Sequence, residues 1–472
     1  MELDKDLQAR QEARLLARQA EAAQKQLLRM NQCQLDRIAK AIAEAFCKAS
    51  VELADMAVRE TGFGNVEDKT IKNEFASKTV WGAIRNMKTV GVLKEHPGEK
   101  LWEVGVPVGV IAAIVPSTNP TSTVCYKAMI ALKAGNSIVF SPHPKAILCT
   151  LRAAQIVTQA AIAAGAPAGC ISCLSAGSMA GCQELMGAKE VRLILATGGP
   201  AMVKAAYSSG KPAIGVGAGN GPAYIHRSAD VKKALEDILR SKTFDNGTVC
   251  ASEQSIIVER SMEQGVKQTA EGMGYYFMNP QQASQLASLL FRPSGALNPE
   301  IVGKPATFLA QKAGFSVPTD TKILVAREEE AGTAHPYSME KLCPVLAFYV
   351  MDSEDGVLKK VQEVLSHEGA GHTFSMHCQD RDVVRKFALE IPVSRFLVNT
   401  PSAQGGIGST TGLFPALTLG CGAVGGSSSS DNISPLHLIN IRRIAWGKLQ
   451  ESSQYDGNLV DILTQKILER LG

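Results

Sequence analysis

Val191-Arg192-Leu193-Ile194-Leu195-Ala196-Thr197-Gly198-Gly199-Pro200 is the stretch on which the fold is decided. Its first six residues are apolar except Arg192, which reads as a strand buried on both faces, as in a parallel sheet covered by helices. Thr197-Gly198-Gly199 makes a tight exit, and Pro200 suits the first turn of a following helix, where its missing N–H is not needed. Free N–H groups at such a helix start suit a phosphate. By itself the motif is weak, because tight strand-to-helix turns commonly use glycine.

Outward from this stretch the same alternation continues. Ser137–Phe140 is a strand, Lys145–Ala164 a helix, Cys170–Leu174 a strand, and a short helix starts at Glu184. Downstream, Ala201–Ser208 is a helix and Ala213–Val216 a strand. Leu101–Val115 alternates and then turns wholly apolar, which predicts a hairpin around Pro107-Val108-Gly109, followed by a loop-to-helix junction at Pro116–Thr121 with Thr121 or Ser122 as cap. A second alternating block begins at Ser255–Val258 and runs to Phe396–Asn399. Strands alternating with helices mean βαβ units and parallel sheets, so two α/β domains are expected, joined near Asn220-Gly221-Pro222.

The ends read differently. Residues 3–60 are predicted as two helices, the first striped by Leu7, Leu15, Leu16, Ala23, Leu27 and Leu28, with charges on solvated faces. Gly405–Ser430 is rich in Gly and Ser; its Gly-Gly pairs suggest close backbone approach to a ligand rather than a floppy linker. Residues 447–457 read as a linker, and Asn458 as the cap of an amphipathic helix over 458–472 carrying Leu459, Ile462, Leu463, Ile467 and Leu471. That helix is either docked on its own domain or a detachable docking peptide.

Composition narrows the class. The 472 residues are 45% hydrophobic and 20% charged, ordinary for a soluble globular chain. A net charge of +4 without a basic run gives no reason to expect nucleic acid. The 11 cysteines are odd in number and scattered, and the first 30 residues are highly charged, so a reducing cytoplasm is expected, with no membrane span. Cys170 and Cys173 form a CxxC inside an apparent strand with no second ligand pair, so no metal is assigned. Cys250 stands apart. It lies in Phe244-Asp245-Asn246-Gly247-Thr248-Val249-Cys250-Ala251-Ser252-Glu253, after a helix Val231–Thr243 and an Asn-Gly turn, at the mouth of a helix-to-strand connection. A lone cysteine is ordinarily a small buried hydrophobe.

Asn119 within Pro116–Pro120, Thr197-Gly198-Gly199, Gly217–Pro222, Cys250 and Glu340 within Glu340–Pro344 occur in a fixed order that resembles the aldehyde dehydrogenase superfamily over roughly residues 30–445. Ile194–Pro200, Ser241–Gly247 and Asn399–Gly406 are most similar to its CoA-acylating branch, including the aldehyde dehydrogenase half of bifunctional aldehyde–alcohol dehydrogenases and the enzymes of bacterial microcompartments. No alcohol dehydrogenase half follows, so a stand-alone enzyme is expected.

The resemblance implies an α/β aldehyde dehydrogenase fold. Residues 1–221 would hold the N-terminal helices and a Rossmann-like NAD-binding domain, and 222–425 the catalytic domain. Residues 426–446 would be a return segment for oligomerisation into a dimer or tetramer. It implies Cys250 as nucleophile, Asn119 as oxyanion donor, and Glu340 on the nicotinamide ribose. Thr197, Gly198, Gly199, Ser141, Pro142, Gly217 and Gly219 would complete the cofactor site, with no metal.

Two departures inform the reading. Val216 stands where hydrolytic relatives carry their general-base glutamate, so the thioester is expected to await CoA rather than water. Ser141 and Pro144 stand where hydrolytic relatives often carry charges on the adenosine ribose; NAD is expected with NADP not excluded. His372, less so His367, matches a pattern of the acylating branch and would assist proton transfer near CoA, against the plain alternative of a structural histidine. The implied function is oxidation of acetaldehyde or propionaldehyde to acyl-CoA in the cytoplasm, inside a bacterial microcompartment if 458–472 binds shell or core proteins. The competing readings are a non-acylating dehydrogenase and a catalytically idle scaffold.

Overall fold

The computed structural model describes residues 4–447 and 457–472. Val191–Thr197 lies in a five-stranded parallel sheet ordered Ile171–Cys173, Ile138–Ser141, Val110–Ile114, Val191–Thr197, Ala213–Val216. The first strand in sequence, Val110–Ile114, sits in the middle with every residue buried. Chain order therefore reverses beside it, and the crevice outside the carboxyl ends of Ile114 and Thr197 is where ligands of such sheets bind. The following helix, Pro120–Lys133, is buried along its whole length. Lys127 ties it to the crevice, donating to the carbonyl oxygens of Ile114 (2.8 Å) and Leu195 (2.9 Å).

A seven-stranded parallel sheet follows, ordered Tyr275–Phe277, Ile323–Arg327, Val345–Met351, Glu253–Glu259, Gly221–Ile225, Gly371–His377, Val393–Val398. Its central strand, Glu253–Glu259, is buried throughout and starts three residues after Cys250. The chain passes from one sheet to the other between Val216 and Gly221.

The hairpin expected over 101–115 is a correction. Leu101–Pro107 pairs antiparallel with Gly91–His96 and with Ile439–Ala445, whereas Val110–Ile114 leaves for the centre of the five-stranded sheet. The reason lies in the burial pattern. Val110–Ile114 is apolar on both faces and suits a helix-covered sheet, while Leu101–Pro107 is only half-buried and suits an edge ribbon. Gly109, at φ 123°, makes the break between them.

The N-terminal region forms three helices rather than two, Lys5–Leu27, Gln32–Lys48 and Ser50–Thr61, with the chain turning at Ala49. The first buries Ala9, Ala13, Ala17 and Ala20 and leaves Leu7, Leu15 and Leu28 exposed. The small stripe faces inward because helix Met179–Gly187 packs close: a Cβ on Gly181 would already lie 3.3 Å from that of Ala9. At the other end the helix runs Gly457–Leu471, so Asn458 lies inside it rather than capping it. Leu459, Val460, Ile462, Leu463, Ile467, Leu468 and Leu471 are all exposed. Most of the expected linker, 448–456, lies outside the described residues. No described helix is long and apolar enough to cross a membrane.

Candidate active site

The expected helix Val231–Thr243 is present, and a tight turn delivers Cys250 from it to strand Glu253–Glu259. Asp245 (φ 49°), Asn246 (φ 51°) and Gly247 (φ 77°) are consecutive left-handed residues, a conformation that Asp, Asn and Gly tolerate best. Asp245 is fully buried. Its carboxylate accepts from Lys69 (2.9 Å), Lys72 (2.5 Å), the Thr248 hydroxyl (2.6 Å) and the Asn65 N–H (3.0 Å), and its own N–H donates to Asp68 (2.7 Å). Burial works against this charge, but the Lys72 and Lys69 ammonium groups hold the Asp245 carboxyl below its ordinary range. The turn under Cys250 is thus fixed by charges from helix Val66–Glu74, more than 170 residues earlier.

Cys250 and Asn119 share a cleft of about 220 Å³ whose lining also includes Thr197–Gly199, Val216, Gly217, Glu340 and Lys72. Asn119 occupies the N-cap position of helix Pro120–Lys133, which corrects the expected cap at Thr121 or Ser122. Its side chain does no capping: Oδ1 accepts from Lys72 at 2.6 Å. Thr121 instead donates to Asn73 (2.9 Å). Gly219 lies hard against the thiol loop, since a Cβ there would fall 1.9 Å from the Cys250 carbonyl oxygen. Its N–H donates to Glu340 Oε1 at 3.0 Å, which brings the carboxylate to the same place.

Burial pushes the Cys250 thiol up to about 12, and the Glu340 charge adds to the effect. Glu340 is itself pushed up to about 8, by burial first and then by Glu368. At neutral pH both groups are therefore largely protonated.

Ser141 and Pro142 line an adjoining cavity of about 350 Å³ together with Thr197, Gly198 and Gly199, at the carboxyl edge of the five-stranded sheet. The buried Thr197 hydroxyl has no partner among the described residues, and a Cβ on Gly199 would meet open space there. Gly217 also borders a third cavity, of about 530 Å³, with His367, Glu368 and Cys421. His372 is fully buried and lines none of these cavities; its Nδ1 lies 2.8 Å from the Thr373 hydroxyl, and burial holds its pKa well below the usual value.

The Gly405-Gly406 pair serves protein rather than ligand: a Cβ on Gly406 would lie 2.9 Å from that of Ala251, and one on Gly405 2.8 Å from Thr400. Sequence reasoning missed Lys72, Lys69 and Asp245. Asp245 stood in the Cys250 stretch without a role, and the trace of the lysines is Lys69 and Lys72 three apart, on one face of a helix whose charges look solvated.

A cysteine and an asparagine amide share one cleft beside the carboxyl edge of the five-stranded sheet, and the chain belongs to the aldehyde dehydrogenase family, whose model matches residues 6–285. The bifunctional aldehyde–alcohol dehydrogenase of Escherichia coli is 44% identical over 97% of this chain. The match covers 52% of that protein, so the chain spans about half the length of this curated relative. An acetylating aldehyde dehydrogenase from Geobacillus thermoglucosidasius is 48% identical with a TM-score of 0.93, over 96% of this chain and 100% of that one. A propionaldehyde dehydrogenase from Rhodopseudomonas palustris, solved with bound CoA and an acylated cysteine, is 30% identical with a TM-score of 0.83, over 92% and 97%. One from the fucose-utilisation bacterial microcompartment of Clostridium phytofermentans is 28% identical, also at 0.83, over 92% and 98%. The fold is that of the acylating enzymes of the family.

Proposed function

We propose that this chain is an NAD-dependent, CoA-acylating aldehyde dehydrogenase acting on a short aliphatic aldehyde, acetaldehyde or propionaldehyde. The observation that carries the reading is the shared cleft of Cys250, Asn119 and Val216: a nucleophile and an amide donor, with a side chain that cannot activate water where a base would serve hydrolysis. The relatives' acetylating activity and the CoA-bound neighbour support it.

The cofactor residues are Thr197, Gly198 and Gly199, with Ser141, Pro142, Gly217, Gly219 and Glu340 around them. The open backbone at Gly199 and the unpartnered Thr197 hydroxyl suit a pyrophosphate and its ribose at a helix start. No charged side chain stands at Ser141 or Pro144 to select between NAD and NADP, and NAD is the cofactor of this reading. Residues 1–221 are the cofactor domain in this reading, and 222–425 the catalytic one.

Bound nicotinamide supplies the hydride acceptor. Cys250 Sγ adds to the aldehyde carbon as its proton is released to solvent, the one proton the overall oxidation sets free. The resulting thiohemiacetal oxygen is held by Asn119 Nδ2 and the Cys250 N–H, an arrangement whose loss costs ~100–1,000-fold in rate. Departure of hydride restores the carbonyl and leaves a thioester on Cys250. The CoA thiol adds to the same carbon, Cys250 leaves and regains a proton in place of the one the CoA thiol gives up, and acyl-CoA is released. Glu340 is the carboxylate of the cleft, and at about 8 it holds its proton at neutral pH, so it is a poor base for water. His372 lines none of the three cavities and takes no step in this reading, whereas His367 lines the cavity behind Gly217.

The exposed apolar side chains of helix Gly457–Leu471 suit a docking element for microcompartment shell or core proteins, within a cytoplasmic setting. Ile441, Ile444 and Trp446, exposed on the edge ribbon, suit a homo-oligomer interface, dimer or tetramer. Leu463→Glu tests the docking element: the enzyme stays folded and active but no longer sediments with shells, whereas unfolding would make the helix structural. The central reading is tested by product analysis with propionaldehyde, NAD and CoA. Propionyl-CoA is expected, Cys250→Ala produces none, and free propionate as the sole product would overturn the assignment.

A further inference from the structure

Lys72 makes three contacts inside the protein, and each has a consequence for Asn119. Its Nζ lies 2.5 Å from Asp245 Oδ2, 2.9 Å from the Thr248 hydroxyl and 2.6 Å from Asn119 Oδ1. Its side chain is only 4% exposed, yet it lines the cleft that holds Cys250. An ammonium carries three N–H donors and no acceptor, so Lys72 is saturated. Burial pulls it down to about 8 against the opposing Asp245 charge, so the ammonium persists at neutral pH.

The cation also decides which way the amide faces. Only an oxygen can accept from an ammonium, so Asn119 presents Oδ1 to Lys72 and its NH₂ to the opposite side. One N–H of that NH₂ meets the Thr118 hydroxyl at 3.2 Å; the other has no protein acceptor among the described residues. The chain itself is held from below as well, because Lys69 donates to the Thr118 carbonyl (2.9 Å) while sharing Asp245 with Lys72. Asp245 in turn belongs to the left-handed turn that leads to Cys250. One buried carboxylate therefore fixes both the amide and the thiol loop.

We propose that Lys72 is a positioning residue of the oxyanion site: its ammonium locks the Asn119 amide with Nδ2–H free for the thiohemiacetal oxygen, and couples that amide through Asp245 to the turn carrying Cys250. The inference rests on the role of Asn119 given above and adds a residue to it. Lys72 does not touch the reacting atoms. It prevents amide rotation, which would otherwise turn the Asn119 carbonyl oxygen toward a developing negative charge.

The test is a double-mutant cycle of Lys72→Met and Asn119→Ala, measured on propionaldehyde oxidation by the purified enzyme with NAD and CoA. Lys72→Met is expected to lower kcat by about 100-fold, the scale of a misplaced catalytic group, and to leave KM within about threefold. In the Asn119→Ala background the same substitution is expected to change kcat by less than about threefold, because the group it positions is gone. Thermal denaturation of each variant accompanies the cycle, so that a loss of fold is separated from a loss of kcat confined to the wild-type Asn119 background. Should Lys72→Met fail to fold, Lys72→Arg keeps the charge on Asp245 but moves the donors, and the same loss confined to the Asn119 background is expected.

Equal losses in both backgrounds, or wild-type kcat in Lys72→Met, would overturn the positioning role while leaving the acylating reading intact. Wild-type kcat in Asn119→Ala would sink the oxyanion assignment itself.

Discussion

The two walls of the Cys250 cleft are built on opposite principles. On the Asn119 side the charged groups are satisfied within the protein, leaving over one N–H of the Asn119 amide: Lys72 has three acceptors, and Asp245 accepts from Lys69, Lys72, Thr248 and Asn65. On the crevice side the polar groups are incomplete. The Thr197 hydroxyl is buried without a partner among the described residues, Glu340 is pushed up to about 8 by burial and Glu368, and the Cys250 thiol is pushed up to about 12. A wall complete before substrate arrives need not reorganise when charge develops, which is what an oxyanion site requires. A wall left incomplete has room and hydrogen-bonding capacity for ligands that come and go.

This contrast can be broken at the thiol first. Cys250→Ala removes the group both walls serve and is expected to lower kcat on the order of 10⁴-fold or more, with the fold intact by thermal denaturation. Retained turnover would move the chemistry to another residue.

The saturated wall is next. Asp245→Asn leaves two buried ammonium groups facing a neutral amide and is expected to cost about 3–5 kcal/mol of stability. The pH dependence has a definite sign. The Asp245 carboxyl is depressed in the folded protein, so its contribution is present above the unfolded carboxylate range and is lost as pH falls through its folded value. The difference in melting temperature between wild type and Asp245→Asn should therefore shrink on acidification. A constant difference would mean that the carboxylate's charge is not what stabilises the turn.

How far these walls were legible in the sequence follows from the same contrast. Val191–Pro200 and Val110–Ile114 announce themselves because a strand buried on both faces must be apolar throughout. Cys250, Asn119, Thr197–Gly199 and Glu340 were legible through their order along the chain, and one cleft gathers them. Lys69, Lys72 and Asp245 were not. A charged residue on a short helix reads as solvated, and only tertiary packing brings Asp245 from 173 positions away to Lys72. The alanine stripe of Lys5–Leu27 was missed for a related reason: leucines dominate a periodicity reading, whereas close helix packing selects for small side chains. The 101–115 hairpin failed because adjacent strands were assumed to pair, although one is buried throughout and the other only half-buried.

The incomplete wall can be sharpened by adding what it lacks. Val216→Glu places a carboxylate in the cleft and is expected to raise CoA-independent release of free acid at least about tenfold, within the range general bases supply. No increase would show that the missing base is not what preserves the thioester. A smaller effect is expected from Glu340→Gln. Above about pH 8 the Glu340 charge holds the Cys250 thiol up, so removing it should speed alkylation of Cys250 by iodoacetamide at pH 9 by about threefold, with Cys250→Ala as baseline. At pH 6, where Glu340 is protonated in the wild type, the two rates should converge.

The most direct test of the acylating assignment is a rapid-mixing experiment with propionaldehyde and NAD in the absence of CoA, at neutral pH. The account predicts a burst of NADH equal to the concentration of Cys250, followed by a stall that CoA relieves at once. Steady NADH production without CoA, with free propionate accumulating in step, would contradict it.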